Sequence, residues 1–142
     1  MNNTQDNTGF GGAARLTNLI KDCERVLSFD PNNLTALRKI GYAKWILGEF
    51  DDVVQIADRI LSINPADTDW LYSRAMAHMA EKRLELASAD LTKALAICTD
   101  ARMTTTILDA ISTVRDLLGR NEQPTHAVIQ MHAPVEESVK AS

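Results

Sequence analysis

Aromatic residues, prolines, glycines and cysteines are all scarce in this 142-residue chain, and each scarcity excludes a class of protein. Aromatic residues make up 5%, and there are 4 prolines and 6 glycines. Because so few residues favour turns, the composition predicts a small number of long elements, which favours helices over many short strands. Two cysteines, Cys23 and Cys98, are too few for a disulfide framework, so we expect a reducing, cytoplasmic setting.

Positive charge and long apolar runs are also limited. The chain has 15 basic and 19 acidic residues and a net charge of −4, so it lacks the basic excess of a general nucleic-acid binder. No apolar run approaches the roughly 18 residues of a membrane span. Residues 1–8 have neither the basic nor the apolar region of a secretory signal. The hydrophobic fraction of 45% is that of a globular domain with a core.

The sequence repeats itself with a period of 34 residues. Residues 24–31, ERVLSFDP, align with residues 58–65, DRILSINP. Two triplets of apolar residues keep the same spacing: Leu27, Leu61 and Leu95, and Leu16, Phe50 and Leu84. A fixed period of this length indicates stacked supersecondary units, none of which can bury its apolar face alone.

Each repeated segment shows the apolar spacing of an amphipathic helix. Apolar residues recur at i, i+3, i+4, i+7 and i+11 from Leu16, and again from Phe50. Asn33 is a plausible N-cap, and Gly48 and Gly119 stand where helices should end. The pattern predicts six helices, at about 13–28, 34–47, 50–62, 68–81, 84–97 and 102–118. Because the connections are short, neighbours should be antiparallel, and we expect an all-α right-handed solenoid of helix hairpins.

A helix-turn-helix period of this length resembles the tetratricopeptide repeat (TPR) family. The landmark residues of that family occur together in the unit 34–67: Gly41, Gly48, Phe50, Leu61 and Pro65. Residues 68–101 form a second, more degenerate unit, in which Lys82 and Thr99 replace the usual glycine and proline. Two full repeats between one extra helix at each end make about three repeat-lengths, which is near the minimum for a stable stack.

The resemblance divides the chain into three parts. A TPR-like helical domain is expected over residues 13–119. Residues 1–12 are polar and glycine-rich and predict a flexible N-terminal segment. Residues 120–142 predict a loosely ordered tail, whose short apolar stretch at 127–131 is either unstructured or docks in a groove.

The resemblance also implies a concave groove, lined by the first helix of each repeat. The groove residues carried over by position are Arg38, Tyr42, Trp45, Asp69, Tyr72, Met76 and Met79. Aromatic and methionine side chains form an adaptable apolar lining that suits a helix or an extended peptide. Arg38, together with Lys39, is expected to pair with an acidic group of the ligand. The alternative is that Tyr42, Trp45 and Tyr72 pack between the helices as part of the core.

Two specialised functions are not expected. The branch of the family that binds chaperone tails uses a clamp of two lysines and two asparagines. The matching positions here hold Arg38, Lys39, Tyr42, Asp69 and Ser73, so an Hsp70/Hsp90 co-chaperone is not expected. Catalysis, a cofactor and a metal ion are not expected either. His78 and Cys23 are interpreted as structural residues, and His126 and His132 lack a metal-ligand spacing.

We therefore expect a non-enzymatic adaptor or scaffold in the cytoplasm that binds a protein or peptide partner in its groove, and neither nucleic acid nor a membrane. One alternative is a specialised chaperone for a secreted protein, since the chain resembles in size the small acidic TPR proteins of type III secretion. The other is a structural subunit that self-associates through its end helices or its tail.

Overall fold

The structure, a computed structural model, describes residues 10–122 and contains six helices joined by short connections. They are α1 (Phe10–Phe29), α2 (Leu34–Ile46), α3 (Phe50–Ile63), α4 (Thr68–Ala80), α5 (Leu84–Ile97) and α6 (Ala101–Glu122). There is no strand between residues 10 and 122, so the all-α prediction is confirmed. Each helix packs chiefly against the helices before and after it in the chain, which is the arrangement of an α-solenoid.

Three helices begin at capping side chains that recur along the chain. Asn33, Asp67 and Asp100 each accept a hydrogen bond from the backbone N–H three residues further on, over 2.9, 3.2 and 2.7 Å respectively. These bonds satisfy N–H groups that the first turn of a helix otherwise leaves unpaired. The caps are 34 and then 33 residues apart, so α6 starts one residue earlier than the strict period predicts.

The turns inside the two full hairpins also recur at the predicted spacing. Gly48 has φ 75°, and Lys82, 34 residues later, has φ 61°. Both are left-handed, a conformation that glycine adopts freely but that costs a residue with a Cβ about 1–2 kcal/mol. The turn after α2 is therefore confirmed at Gly48, and Lys82 takes the same conformation without the glycine.

The two end helices are longer than the sequence predicts. Helix α1 begins at Phe10 rather than near residue 13, and α6 continues through Gly119 to Glu122. A glycine inside a helix costs only about 0.5–1 kcal/mol relative to alanine, so Gly119 alone is too weak a signal to end α6. The apolar stretch at 127–131 lies outside the described residues.

A small core cluster of Cys23, Ala36 and Ile40 joins α1 to α2, and the main core cluster runs through α2 to α6. Its largest fully buried side chains are Leu37, Val53, Ile60, Leu71, Leu91, Ile107 and Val114. Leu61 is 8% exposed, and the residues at the same repeat position, Leu27 and Leu95, pack on the edge of the same cluster. Among the described residues, no helix is both long and apolar enough to span a membrane.

Candidate functional site

A cavity of about 240 Å³ opens between α2 and α4. Its wall is largely apolar, and it is formed by Gly41, Tyr42, Trp45, Val53, Trp70, Tyr72, Ser73 and Met76. Because α2 and α4 are the first helices of the two full repeats, this is the position at which the TPR resemblance places the groove. Four of the seven predicted groove residues, Tyr42, Trp45, Tyr72 and Met76, lie together in this wall.

The aromatic side chains of the wall present part of their surface to solvent. Tyr42 is 58% exposed, and its ring lies 5.6 Å from that of Trp70 at a tilted angle of 53°. Trp45 is 38% exposed and packs edge-on against Phe50 with ring centroids 5.1 Å apart. Each ring is thus fixed on one side by a neighbour and open on the other. Such half-fixed aromatic residues lose little side-chain entropy when a ligand covers them.

Trp70 forms the floor of the cavity, and the sequence interpretation missed it. It is 2% exposed, and its six-membered ring lies directly against Gly41. A Cβ at Gly41 would come within 2.2 Å of Trp70 Cη2, so only glycine leaves room for the indole. The signal that could have revealed Trp70 is its place three residues after the cap Asp67, at the start of the first helix of the second full repeat.

Arg38 forms an ion pair within the chain, so its guanidinium is not free to bind a ligand. Its guanidinium forms an ion pair with the carboxylate of Asp67, which also caps α4. The expectation that Arg38 pairs with an acidic group of the ligand therefore differs from the structure, where that charge is already neutralised. The sequence does not reveal this pair, because its two residues are 29 positions apart and meet only when α2 and α4 stack.

The other two predicted groove residues lie apart from the cavity. Met79 is half-buried and packs against the core. Asp69 lies in a second, more polar cleft of about 660 Å³, between the start of α4, the α5–α6 connection and the start of α6. The walls of this second cleft also contain Arg102, Met103 and Thr106. The predicted groove is therefore divided into an apolar cavity and a polar cleft.

A cluster of charges ties three helices together on another face. Arg74 of α4 binds the buried carboxylate of Asp90 on α5 through two hydrogen bonds of 2.8 and 2.7 Å, and it binds Asp58 of α3 over 2.8 Å. The bonds to Asp90 and Asp58 raise the pKa of Arg74, against the effect of burial. Because the guanidinium is already bound by two carboxylates, it is not available to a ligand.

His78 lies beside this cluster and is buried, as the sequence predicts. It is 7% exposed, its Nε2 lies 3.9 Å from Asp90, and its buried Nδ1 has no hydrogen-bond partner. Burial lowers its pKa, and the nearby charge of Asp90 opposes this only in part. Within residues 10–122, no group of three or more histidine, cysteine, aspartate or glutamate side chains is arranged to hold a metal ion.

Together the hairpin stack and the open apolar cavity define an α-helical repeat scaffold of the kind that presents a groove. More particularly, the chain has a TPR-like fold. The first TPR of Spaghetti (RPAP3), solved bound to the HSP90 peptide SRMEEVD, superposes with a TM-score of 0.66 at 18% sequence identity. The alignment covers 75% of this chain and 82% of that one. No family model and no curated protein matches the sequence.

Proposed function

We propose that the chain is a non-enzymatic protein-interaction module that binds a segment of a partner protein in the cavity between α2 and α4. The observation that carries the proposal is the open apolar cavity itself, with the exposed ring of Tyr42 at its mouth and Trp70 at its floor. A volume of about 240 Å³ suits one large apolar side chain, which would be the anchor of the bound segment. An adaptor or scaffold in the cytoplasm fits this chemistry, and both thiols of the described chain are free.

The charges around the cavity argue against the kind of ligand that its structural neighbour binds. That neighbour was solved with SRMEEVD, a peptide that carries two glutamates and an aspartate. Here Arg38 is neutralised by Asp67, and Lys39 lies in a different cleft, between α1 and α2. Since no Lys or Arg of residues 10–122 lines the cavity, an acidic tail bound there would lose its hydration without gaining an ion pair from its walls. The proposed ligand is therefore a segment held by an apolar anchor rather than by a carboxylate.

Peptide binding by paired variants tests this proposal. A library of short peptides with a central Leu, Met, Phe or Trp is screened by fluorescence polarisation, with SRMEEVD as the acidic comparison. We expect selection of apolar-anchored peptides. The double substitution Tyr42→Ala with Tyr72→Ala should weaken their binding by about tenfold or more, because buried aromatic anchors typically carry most of the energy of an interface.

Two controls separate binding from folding. Gln55→Ala alters an exposed residue of α3 outside the cavity wall and should change neither binding nor stability. The tyrosine pair should also destabilise the chain less than Leu61→Ala, since Tyr42 is largely solvent-exposed in the free protein. If the pair unfolds the chain, the tyrosines are core residues. If SRMEEVD binds as tightly as the selected peptides, the proposed ligand chemistry is wrong.

A further inference from the structure

The first described helix, α1, exposes a face that the inner repeats bury. By the 34-residue period, α1 corresponds to α3 and α5, each of which packs against the helix that precedes it. No helix precedes α1 among residues 10–122. Leu19 and Val26 correspond to Val53 and Ile60, which are 1% and 0% exposed, yet Leu19 is 36% and Val26 43% exposed. The face that meets the preceding helix is therefore open in α1.

A cleft of about 250 Å³ lies beside this open face, between α1 and α2. It is lined by Cys23, Val26, Asn33, Thr35, Ala36 and Lys39. Ala36 and Asn33 correspond to Trp70 and Asp67, which in the next repeat contact Gly41 and Arg38 of α2. The cleft is therefore the place where a helix equivalent to α2 would pack.

The last described helix, α6, lacks a partner helix on its other side. Its cap Asp100 aligns with Asp67, so α6 corresponds to α2 and α4, each of which is followed by a second helix. Among the described residues no helix follows α6. In this alignment Leu108 corresponds to Ala75, which is fully buried, whereas Leu108 is 48% exposed. At the α1 end, the stack thus exposes the second helix of a hairpin that lacks its first helix. At the α6 end, it exposes the first helix of a hairpin that lacks its second helix.

We propose that α6 of one copy of the chain packs into the α1–α2 cleft of a second copy, which completes a hairpin across the two chains. The sizes of the facing side chains support this pairing. In the inner repeat the small residue Gly41 lies against the large Trp70. At the junction, the corresponding pair is the large Leu108 of α6 and the small Ala36 of α2. The large side chain therefore comes from the other helix of the pair, and it fills the space that Trp70 fills in the inner repeat.

The charges at the junction are also complementary. In the inner repeat Tyr42 and Ser73 line one cavity. The corresponding residues at the junction are Asp109 on α6 and Lys39 on α2, which are both exposed and carry opposite charges. The pair would meet across the two copies, and in that position it would favour this register of the helices over others.

The lengths of the end helices fit the same junction. Helices α1 and α6 have 20 and 22 residues, whereas the inner helices have 13 or 14. Helix α1 starts six residues before Leu16, the equivalent of the first residue of α3. Helix α6 continues seven residues beyond Arg115, the equivalent of the turn residues Gly48 and Lys82. In an antiparallel pair these two extensions lie side by side, where an inner hairpin has its turn.

Such a contact is heterologous, because each copy contributes a different surface. Assembly would therefore be head-to-tail and open-ended rather than a closed two-fold dimer. Neither surface includes the cavity between α2 and α4, so the inference goes beyond the proposed function and stands or falls separately from it.

Size-exclusion chromatography with light scattering on the full chain tests the proposal. The wild type should show a mass that increases with concentration. Leu108→Asp blocks the α6 surface and Val26→Asp blocks the cleft, so each variant alone should be monomeric. Their mixture should form a one-to-one dimer and nothing larger, because each variant supplies the surface that the other lacks. Leu86→Asp, which places the same charge on an exposed leucine of α5, should assemble like the wild type.

The charge pair gives an independent measurement. Lys39→Asp and Asp109→Lys should each weaken association by about tenfold, and the chain that carries both should recover most of it. Far-ultraviolet circular dichroism confirms that every variant is folded. A wild type that is monomeric at every concentration would overturn the proposal. So would a mixture of the two end variants that remains monomeric, or a single end variant that still forms dimers.

Discussion

Replacement of Gly41 by alanine tests the packing that forms the floor of the cavity. The new Cβ would lie 2.2 Å from Trp70 Cη2, 2.8 Å from Cζ3 and 3.2 Å from Ile56 Cγ2. The ring cannot swing into solvent, because Trp70 is 2% exposed and wedged between α2 and the core. Overpacking of this kind typically costs about 1–3 kcal/mol. Alanine offsets about 1 kcal/mol of this cost through its better helix propensity, so we expect a net loss of about 0–2 kcal/mol.

The same substitution at Gly119 is the matched control. Gly119 also lies inside a helix, but nothing is within 4 Å of an added Cβ. Gly119→Ala should therefore stabilise the chain by about 0.5–1 kcal/mol through helix propensity alone. Urea unfolding followed by circular dichroism gives both values, and their difference isolates the clash at Gly41. A second change, Trp70→Phe, removes the clashing ring atoms and should make the double variant more stable than the sum of the single changes. If Gly41→Ala were as stabilising as Gly119→Ala, the close approach of Trp70 would be refuted.

Two further predictions concern the core and the charge cluster. Leu61→Ala should destabilise the chain by about 2–5 kcal/mol in urea unfolding, because it leaves a cavity in the core; a loss below about 1 kcal/mol would show that the repeat register is wrong. His78 has a pKa below its ordinary value of 6.5, chiefly through burial, so the unfolded chain takes up its proton first as the pH falls. Stability should therefore decrease below pH 6.5, and His78→Leu should lose this part of the pH dependence; an unchanged dependence would contradict the assignment.

The repeat period predicts the fold well because it reports which face of each helix is buried. Leu61 and its equivalents fixed the register of the hairpins, and the capping residue Asn33 fixed the start of α2. The helix ends were less predictable, since a glycine such as Gly119 weakens a helix by less than the packing of a whole end helix stabilises it.

The candidate site was only partly predictable for a related reason. The resemblance to the TPR family implied that Tyr42 and Tyr72 lie on the groove side, and both line the cavity. It could not show that Arg38 pairs with Asp67 or that Trp70 fills the space left by Gly41. These contacts join neighbouring repeats, and the repeats differ in the residues at those positions. The 34-residue period identifies the residues that the repeats have in common. The contacts of Arg38 with Asp67 and of Gly41 with Trp70 depend on residues that differ between the repeats.

The bond network of Arg74 has a consequence for how the chain comes apart. A solenoid opens from its ends, because each helix is held only by its neighbours. Separating α4 from α5 would break both hydrogen bonds between Arg74 and the Asp90 carboxylate, in addition to the apolar contacts between the two helices. The same guanidinium holds Asp58 on α3. Fraying that starts at α6 should therefore stop at this three-helix block and leave both walls of the cavity in place. Fraying that starts at α1 meets the block only at α3, so it can remove the α2 wall of the cavity first.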